Sequence, residues 1–478
     1  MAYDNDKLGA ALKLYLGSDP LPMHMPGHKR NPDLISSEFA RDITEIQGFD
    51  NLHSPSGLIK DMETAGAMLW GAERAYVSVG GSTTMLLTAI SACNAEMPGS
   101  KVLVAMNSHL AVWHALELTG NTPVPLMPVT DGNLPFAGPV SAYDIEKILV
   151  RDPSIRTVII TSPTYEGVIS DTASIMEITR RYDATLITDC AHGAHLGLGD
   201  DYFGSPCCGD IVIKSLHKTL NSPTQTSVML TYPGCRISDS TIRHYIDIFE
   251  TCSPSYVLLR GLAWCFATLN ARKDILKPWE DGIRLAEERL TGLKNYRFWQ
   301  APVKERSKLV ILGDGITLAE RLRGDFNIEC EAAFTTHLIA MTGIGDTPES
   351  IGRFCDAVLK IDELSAPQDI VSPLPRPKPV LAMDVREASI KGLTAKERPL
   401  EQSSGMISGE YLFCYPPGVP LLVPGELITQ DTIDYVHSGT AEIRRPRCRL
   451  HRQCQSVALT VWRAQSIISL SKKGGTSK

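Results

Sequence analysis

The chain has 478 residues, 43% hydrophobic and 21% charged, a composition able to bury a sizeable core in one large domain or two to three ordinary ones. Its net charge of −7 gives no global reason to expect nucleic acid, and no apolar run is long enough to predict a membrane-crossing helix. The polar opening Met1-Ala2-Tyr3-Asp4-Asn5-Asp6-Lys7 does not read as a secretory leader, and the 12 Cys are scattered without C-x-x-C pairs, so reduced thiols in a cytoplasmic protein are expected, with no zinc site.

The first element is an amphipathic helix from Lys7 to Leu16. The stretch Leu21-Pro22-Met23-His24-Met25-Pro26-Gly27-His28-Lys29-Arg30-Asn31-Pro32 follows, too rich in proline for regular structure. It reads either as a linker or as an arm lining a site. A second polar loop spans Phe49 to Leu58, and a helix runs from Lys60 to Trp70. From there strands and helices alternate. The predicted strands are Ala75–Val79, Lys101–Ala105, Pro123–Val129, Thr157–Thr161, Ala184–Thr188, the run Asp210-Ile211-Val212-Ile213-Lys214-Ser215, and Ser227–Thr231. The predicted helices between them are Met85–Cys93, a segment ending at Leu118, Asp144–Val150 and Ile175–Tyr182. This alternation predicts an α/β fold, a mainly parallel, doubly wound sheet with helices on both faces.

After a turn at Thr251–Tyr256 the pattern changes. A long helical region is expected from Val257 to Tyr296, then strands Leu309–Leu312 and His337–Thr342 and helices Ala319–Arg323 and Pro348–Leu364, a smaller α+β domain. Pro373–Pro379 reads as a proline-rich connector. Tyr415-Pro416-Pro417-Gly418-Val419-Pro420 is too rigid and apolar for a simple linker. The last part holds a basic run, Arg444–Arg452, which reads either as a disordered or poorly docked tail or as a weak contact for an acidic partner. The boundaries expected on this basis are an arm at 1–45, a large domain at 46–256, a small domain at 257–372, a further C-terminal segment at 373–443 and the tail at 444–478.

Doubly wound sheets bind ligands outside the carboxyl ends of their strands, and there the polar residues collect. Gly80-Gly81-Ser82-Thr83-Thr84 opens a helix and offers backbone N–H groups and hydroxyls to a single phosphate, although a plain strand–helix corner has the same composition. It is neither a Walker A loop nor a dinucleotide fingerprint. Asn107-Ser108-His109, Asp189-Cys190-Ala191-His192-Gly193-Ala194-His195 and Ser215-Leu216-His217-Lys218 end other strands. Lys218 has the chemistry to form a Schiff base with an aldehyde. Asp189 suits a protonated pyridine nitrogen, or a helix cap if taken alone. Pyridoxal phosphate enzymes need both groups, because the protonated ring is the electron sink for a carbanion. His109 is placed to stack on such a ring or act as an acid, Ser215 and His217 to donate to the phosphate, and His192 to contact the cofactor. His195 reads as structural.

These motifs, with His24-Met25-Pro26-Gly27-His28-Lys29, Asp50-Asn51-Leu52-His53, Thr251-Cys252-Ser253-Pro254-Ser255-Tyr256 and Tyr415–Pro420, resemble in order the Orn/Lys/Arg decarboxylase family over roughly residues 20–435. The resemblance implies a fold type I, aspartate aminotransferase-like architecture in its short form, without an N-terminal wing domain. It implies pyridoxal 5'-phosphate as cofactor, Lys218 as the Schiff-base lysine, Asp189 as the partner of the ring nitrogen and His109 as the stacking residue. Gly81, Ser82, Thr83, Ala191, His192, Ser215 and His217 become cofactor contacts, and Lys218 or His217 returns the proton to Cα. The implied reaction is decarboxylation of arginine, lysine or ornithine to a polyamine-type product in a cytoplasmic homodimer or higher oligomer with shared active sites. Cys190 departs from the family, standing where many relatives carry an acidic or amide residue. A distal cation on the substrate needs an acidic or polar partner, and Glu166, Asp50 and Glu410 are the candidates. The rival readings are another fold type I enzyme, an aminotransferase or lyase, and a non-catalytic relative, which would be expected to lose Lys218 or Asp189.

Overall fold

The apolar, β-branched runs form strands because they are buried on both faces of one sheet. These strands are β1 (Arg74–Ser78), β2 (Lys101–Ala105), β3 (Pro123–Leu126), β4 (Ile155–Thr161), β5 (Thr185–Asp189), β6 (Ile211–Ser215) and β7 (Ser227–Thr231). Their order is β1-β7-β6-β5-β4-β2-β3. Neighbours from β3 through β6 run parallel, in register pairs such as Thr161 with Asp189 and Asp189 with Ile213. β7 lies antiparallel to both β6 and β1, so the sheet is mainly but not wholly parallel. The computed structural model describes residues 6–18, 20–199, 201–272, 274–368, 376–438, 443–444 and 458–463.

The strand ends differ slightly from the pattern-based reading. β3 stops at Leu126, before Pro128, and the segment following β1 becomes helical at Gly81, so Ser82 and Thr83 sit in the first turn of the helix Gly81–Glu96. Lys218 lies in a single helical turn, Leu216–Thr219, directly after β6. One β6 residue, Lys214, is fully buried. Its Nζ donates to the Gly193 carbonyl at 2.9 Å, sits 3.7 Å from Cys190 Sγ and lies 5.4 Å from the centre of the Trp70 ring. The position occupied by Cys190 is thus answered by a lysine on the neighbouring strand.

The long helical region expected over Val257–Tyr296 is two helices, Tyr256–Ala271 and Lys277–Leu290. Pro278 at the start of the second is compatible with a helix N-terminus, where its missing N–H is not needed. A smaller antiparallel sheet follows, made of β8 (Arg297–Phe298), β9 (Lys308–Leu312), β10 (Ala332–Ala333) and β11 (His337–Met341) in the order β10-β11-β9-β8. The helices Lys277–Leu290 and Pro348–Glu363 bury Ile283, Ala286, Phe354 and Val358 in the same apolar cluster as Leu309, Ile311 and Leu338. The bridge between Val168 and Lys304 ties this sheet to the loop after β4.

The proline-rich connector lies partly outside the described residues, which resume at Arg376. Beyond it, the hairpin Leu412–Cys414 with Val419–Leu422 carries Tyr415–Gly418 back to the main sheet. There the Gly418 carbonyl accepts from Leu110 N–H at 2.9 Å. Tyr411 reinforces this docking by donating its hydroxyl to Glu117 at 2.7 Å. In the basic tail, Ala458–Arg463 pairs with Lys396–Pro399 and Met406–Ser408. Residues 445–457 and 464–478, including most of the basic run, lie outside the described residues.

Candidate active site

At the carboxyl edge of the sheet lies a cavity of about 870 Å³. The candidate catalytic and cofactor-contact residues named above line it: Gly81, Ser82, Thr83, His109, Asp189, Ala191, His192, Ser215, His217 and Lys218. The topology brings them together, since β1, β2, β5 and β6 all end at this edge.

The helix Gly81–Glu96 has Gly80 at its N-cap and no side chain capping its first N–H groups. Those donors therefore face the cavity with the positive end of the helix dipole. Gly81 holds φ +78°, a left-handed conformation that costs glycine little. Ser82 Oγ and Ser215 Oγ meet at 2.7 Å across the mouth of this turn. His217 Nδ1 donates to the Thr226 carbonyl at 3.1 Å, which fixes its tautomer and leaves Nε2 for a ligand. Burial lowers the His217 pKa, against the raising effect of that carbonyl.

Asp189 ends β5, is buried, and its Oδ1 accepts from Ala191 N–H at 3.1 Å. Burial raises its pKa, while the nearby Lys218 charge and the Ala191 N–H act in the opposite direction. Lys218 Nζ lies 2.9 Å from His192 Nε2. Burial pulls the lysine's pKa down, partly offset by Asp189, and the Lys308 charge lowers it further. His192 is held well below the usual histidine range by burial and by Lys218, so the neutral ring accepts from the lysine. His109 caps the helix Leu110–Thr119 through Nδ1, which accepts from Ala111 N–H at 3.1 Å. Burial, then the charges of Lys218 and His114, push its pKa down to about 4. His195 is structural as expected: it is fully buried, 2.9 Å from Glu305 Oε1, and packed edge-on against Trp279.

Several buried polar atoms that belong to cavity-lining residues have no partner among the described residues: Asn107 Oδ1 and Nδ2, Thr161 Oγ1 and His192 Nδ1. Orphaned polar groups are costly unless a ligand satisfies them. Together with the open helix terminus and a buried carboxylate beside a buried lysine, they fit pyridoxal phosphate: an anion site, a cationic-ring site and an amine to bond the aldehyde.

Of the three acidic candidates for a distal cation, Asp50 is committed elsewhere. Its carboxylate accepts from the N–H groups of Asn51, Ser56, Gly57 and Ile59 at 2.8–2.9 Å, and it is not among the cavity-lining residues. Glu410 is also off the cavity, whereas Glu166 lines it. Sequence reasoning missed Gln225, Phe334, His337 and Arg376, which line the same cavity. Arg376 stood within a run read only as a connector, and its Nη1 donates to the Met106 carbonyl.

This fold is the α/β architecture of fold type I, the one shared with pyridoxal phosphate enzymes. The Orn/Lys/Arg decarboxylase major-domain model matches residues 10–303, and the C-terminal-domain model of the same family matches residues 372–445. The chain belongs to the Orn/Lys/Arg decarboxylase family and is an enzyme of the decarboxylase class. Arginine decarboxylase of Bacillus subtilis (strain 168) is 28% identical over 469 residues, covering 91% of this chain and 94% of that protein. Among solved structures, the Francisella novicida lysine decarboxylase LdcF superposes with a TM-score of 0.79 at 16% identity, covering 95% of this chain and 80% of that one. The constitutive lysine decarboxylase of E. coli gives 0.75 at 19% identity, with 92% and 80% covered. These structures share the fold. Among the described residues, no helix is long and apolar enough to cross a membrane.

Proposed function

We propose that the chain uses pyridoxal 5'-phosphate to decarboxylate a basic amino acid, giving CO2 and a polyamine-type amine. The observation that carries this reading is the convergence of Lys218, Asp189, His109 and the uncapped helix terminus on one cavity. Gly81, Ser82, Thr83, Ser215 and His217 would hold the phosphate, Asp189 the ring nitrogen, His109 the ring face, and Lys218 the aldehyde carbon, with Ala191 and His192 along the ring. Bound there, the cofactor supplies the electron sink that accepts the pair left behind when CO2 departs.

The chain's own residues do the rest. Asp189, buried and held by Ala191 N–H, stands where a ring N–H would pair with its carboxylate and supply the positive charge that offsets the burial raising its pKa. Lys218, its pKa lowered by burial, is a better nucleophile toward an aldehyde than a surface lysine. His192 orients its Nζ. After CO2 has left, Lys218 Nζ, or His217 once its Nε2 has taken up a proton, delivers a proton to Cα. The Thr226 carbonyl accepts from His217 Nδ1, so the neutral His217 ring carries no proton on Nε2.

Arginine is the first substrate to test because the Bacillus subtilis relative is named an arginine decarboxylase; lysine and ornithine come next. The arm exposes Leu21, Met23, Met25, Leu34 and Phe39, an apolar surface suited to a second copy in a cytoplasmic homodimer. A second reading, an aminotransferase, draws on Arg376, whose buried Nη2 has no partner among the described residues at the cavity wall and would suit a carboxylate that is retained. CO2 and amine release from arginine, lysine and ornithine, measured beside amino transfer to a keto acid, separates the two. Release of CO2 from at least one basic amino acid is expected. Amino transfer without CO2 would overturn the proposal.

A further inference from the structure

Glu166 stands in the turn between Thr164 and Val168 that follows β4. That turn is fixed from both sides. Thr164 N–H donates to the Val168 carbonyl at 2.9 Å, and Glu305 N–H donates to the Gly167 carbonyl at 2.8 Å. Gly167 holds φ +98°, and a Cβ there would come within 2.9 Å of the Glu305 carbonyl, so the backbone beneath Glu166 has little freedom. Glu166 lines the cavity, and its carboxylate accepts one side-chain hydrogen bond, from Thr164 Oγ1 at 2.9 Å.

Among the described residues no lysine, arginine or histidine forms an ion pair with Glu166. Burial consequently holds its carboxyl above the usual range. The other acidic groups of the cavity are set differently: Asp189 stands beside Lys218, and Asp131 is exposed, its Oδ1 accepting from the backbone and side chain of Asn133 at 2.9 and 3.1 Å. Glu331, next to the cavity, accepts from the Tyr165 hydroxyl at 2.9 Å. Apolar and aromatic side chains, Leu134, Phe136 and Phe334, line the same space, with Phe136 and Phe334 steadied by ring contacts to His337 at 5.4 and 4.4 Å. A carboxylate with spare acceptor capacity in such surroundings is costly to leave unpaired and selective for a cation that pairs with it.

We propose that Glu166 is the specificity-determining residue for the substrate, pairing with its distal ammonium or guanidinium while Leu134, Phe136 and Phe334 enclose the methylene chain. This rests on the reading of the cavity as a site for a basic amino acid. The pairing selects against neutral and acidic side chains, because binding either would leave the Glu166 carboxylate buried without a counter-charge.

The test uses cofactor-loaded wild type, Glu166→Gln and Glu166→Asp. Calorimetry measures binding of agmatine, cadaverine and putrescine against uncharged-tail hexylamine, and steady-state assays measure kcat and KM with the amino acids. In Glu166→Gln, affinity for the best cationic amine should fall on the order of 100-fold, while hexylamine binding changes by less than about threefold and the visible cofactor absorbance is retained. KM should rise far more than kcat falls, and Glu166→Asp should recover part of the loss. Unchanged affinity for the cationic amines in Glu166→Gln overturns the assignment. So does loss of cofactor absorbance in both variants, which marks a structural role, or a wild type that does not prefer cationic amines to hexylamine. A wild type that prefers cationic amines, loses that preference in Glu166→Gln, yet releases no CO2 from any basic amino acid keeps the Glu166 assignment and overturns the decarboxylase reading.

Discussion

Asp189 illustrates how one residue's setting dictates its chemistry. It is buried, it is held by one backbone N–H, and a lysine charge lies within electrostatic reach. On the proposed reading, a carboxylate in that position matters for the electronic demand of the reaction rather than for holding the phosphate, which is assigned to the Gly81–Thr83 turn, Ser215 and His217. Asp189→Ala should therefore still take up cofactor while turnover falls at least on the order of 1,000-fold. Titrating the variant with pyridoxal phosphate by absorbance, beside a CO2 assay, checks both parts. Near-wild-type turnover would remove Asp189 from its role. Lys218 and Asp189 were legible in the sequence because each directly follows or ends an apolar strand run, and strand ends of a doubly wound sheet converge. Arg376, Phe334 and His337 were not legible. They reach the cavity through tertiary folding of distant segments, and no local pattern in those segments marks a cavity wall.

At the scale of elements, the loop after Phe49 shows why an acidic residue near a site need not belong to it. Asp50 holds φ +66° and gathers the N–H groups of Asn51, Ser56, Gly57 and Ile59. It thereby caps the helix Leu58–Leu69, whose own N-cap, Gly57, has no side chain to offer. Burial alone would raise its pKa, but the hydrogen bonds from Ser56, Asn51, Gly57 and Ile59 outweigh it and hold the carboxyl below the usual range. Asp50→Ala should lower stability by about 2 kcal/mol, read as a drop in thermal midpoint, with KM for the basic amino acid unchanged. A raised KM with an unchanged midpoint would contradict this division of labour between Asp50 and Glu166. The element pattern itself was largely readable: strand–helix alternation through residue 231 follows from hydrophobic runs and turn residues. The direction of β7 was not, because an apolar strand buried on both faces reads the same in either orientation. The split of the long helical region was missed because the break between Ala271 and Lys277 lies between two stretches that both read as helical.

Across the whole molecule, burial holds several histidines below their usual range. Burial pushes His337 down to about 3, and burial with the charges of Lys218 and His114 pushes His109 down to about 4; His192, His195 and His217 shift the same way. Their unfolded-state value is 6.5. As pH falls below that value, the unfolded chain takes up protons that the folded chain refuses, so stability present above pH 6.5 is lost as pH falls toward the folded values. The thermal midpoint of the cofactor-free protein should decline steadily between about pH 7 and about pH 5, and His337→Gln should make that decline shallower. A midpoint that stays flat over this window would count against neutral burial of these rings.

The large sheet, the small domain and the C-terminal hairpin meet around one cavity, where Lys218 is the group proposed to engage the cofactor. Borohydride reduction of the pyridoxal phosphate-loaded protein, followed by peptide mass mapping, tests this most directly. The expected result is a single reduced cofactor adduct on Lys218, absent in Lys218→Ala. An adduct on another lysine such as Lys214 or Lys308, or no specific adduct in a fully loaded protein, would contradict it.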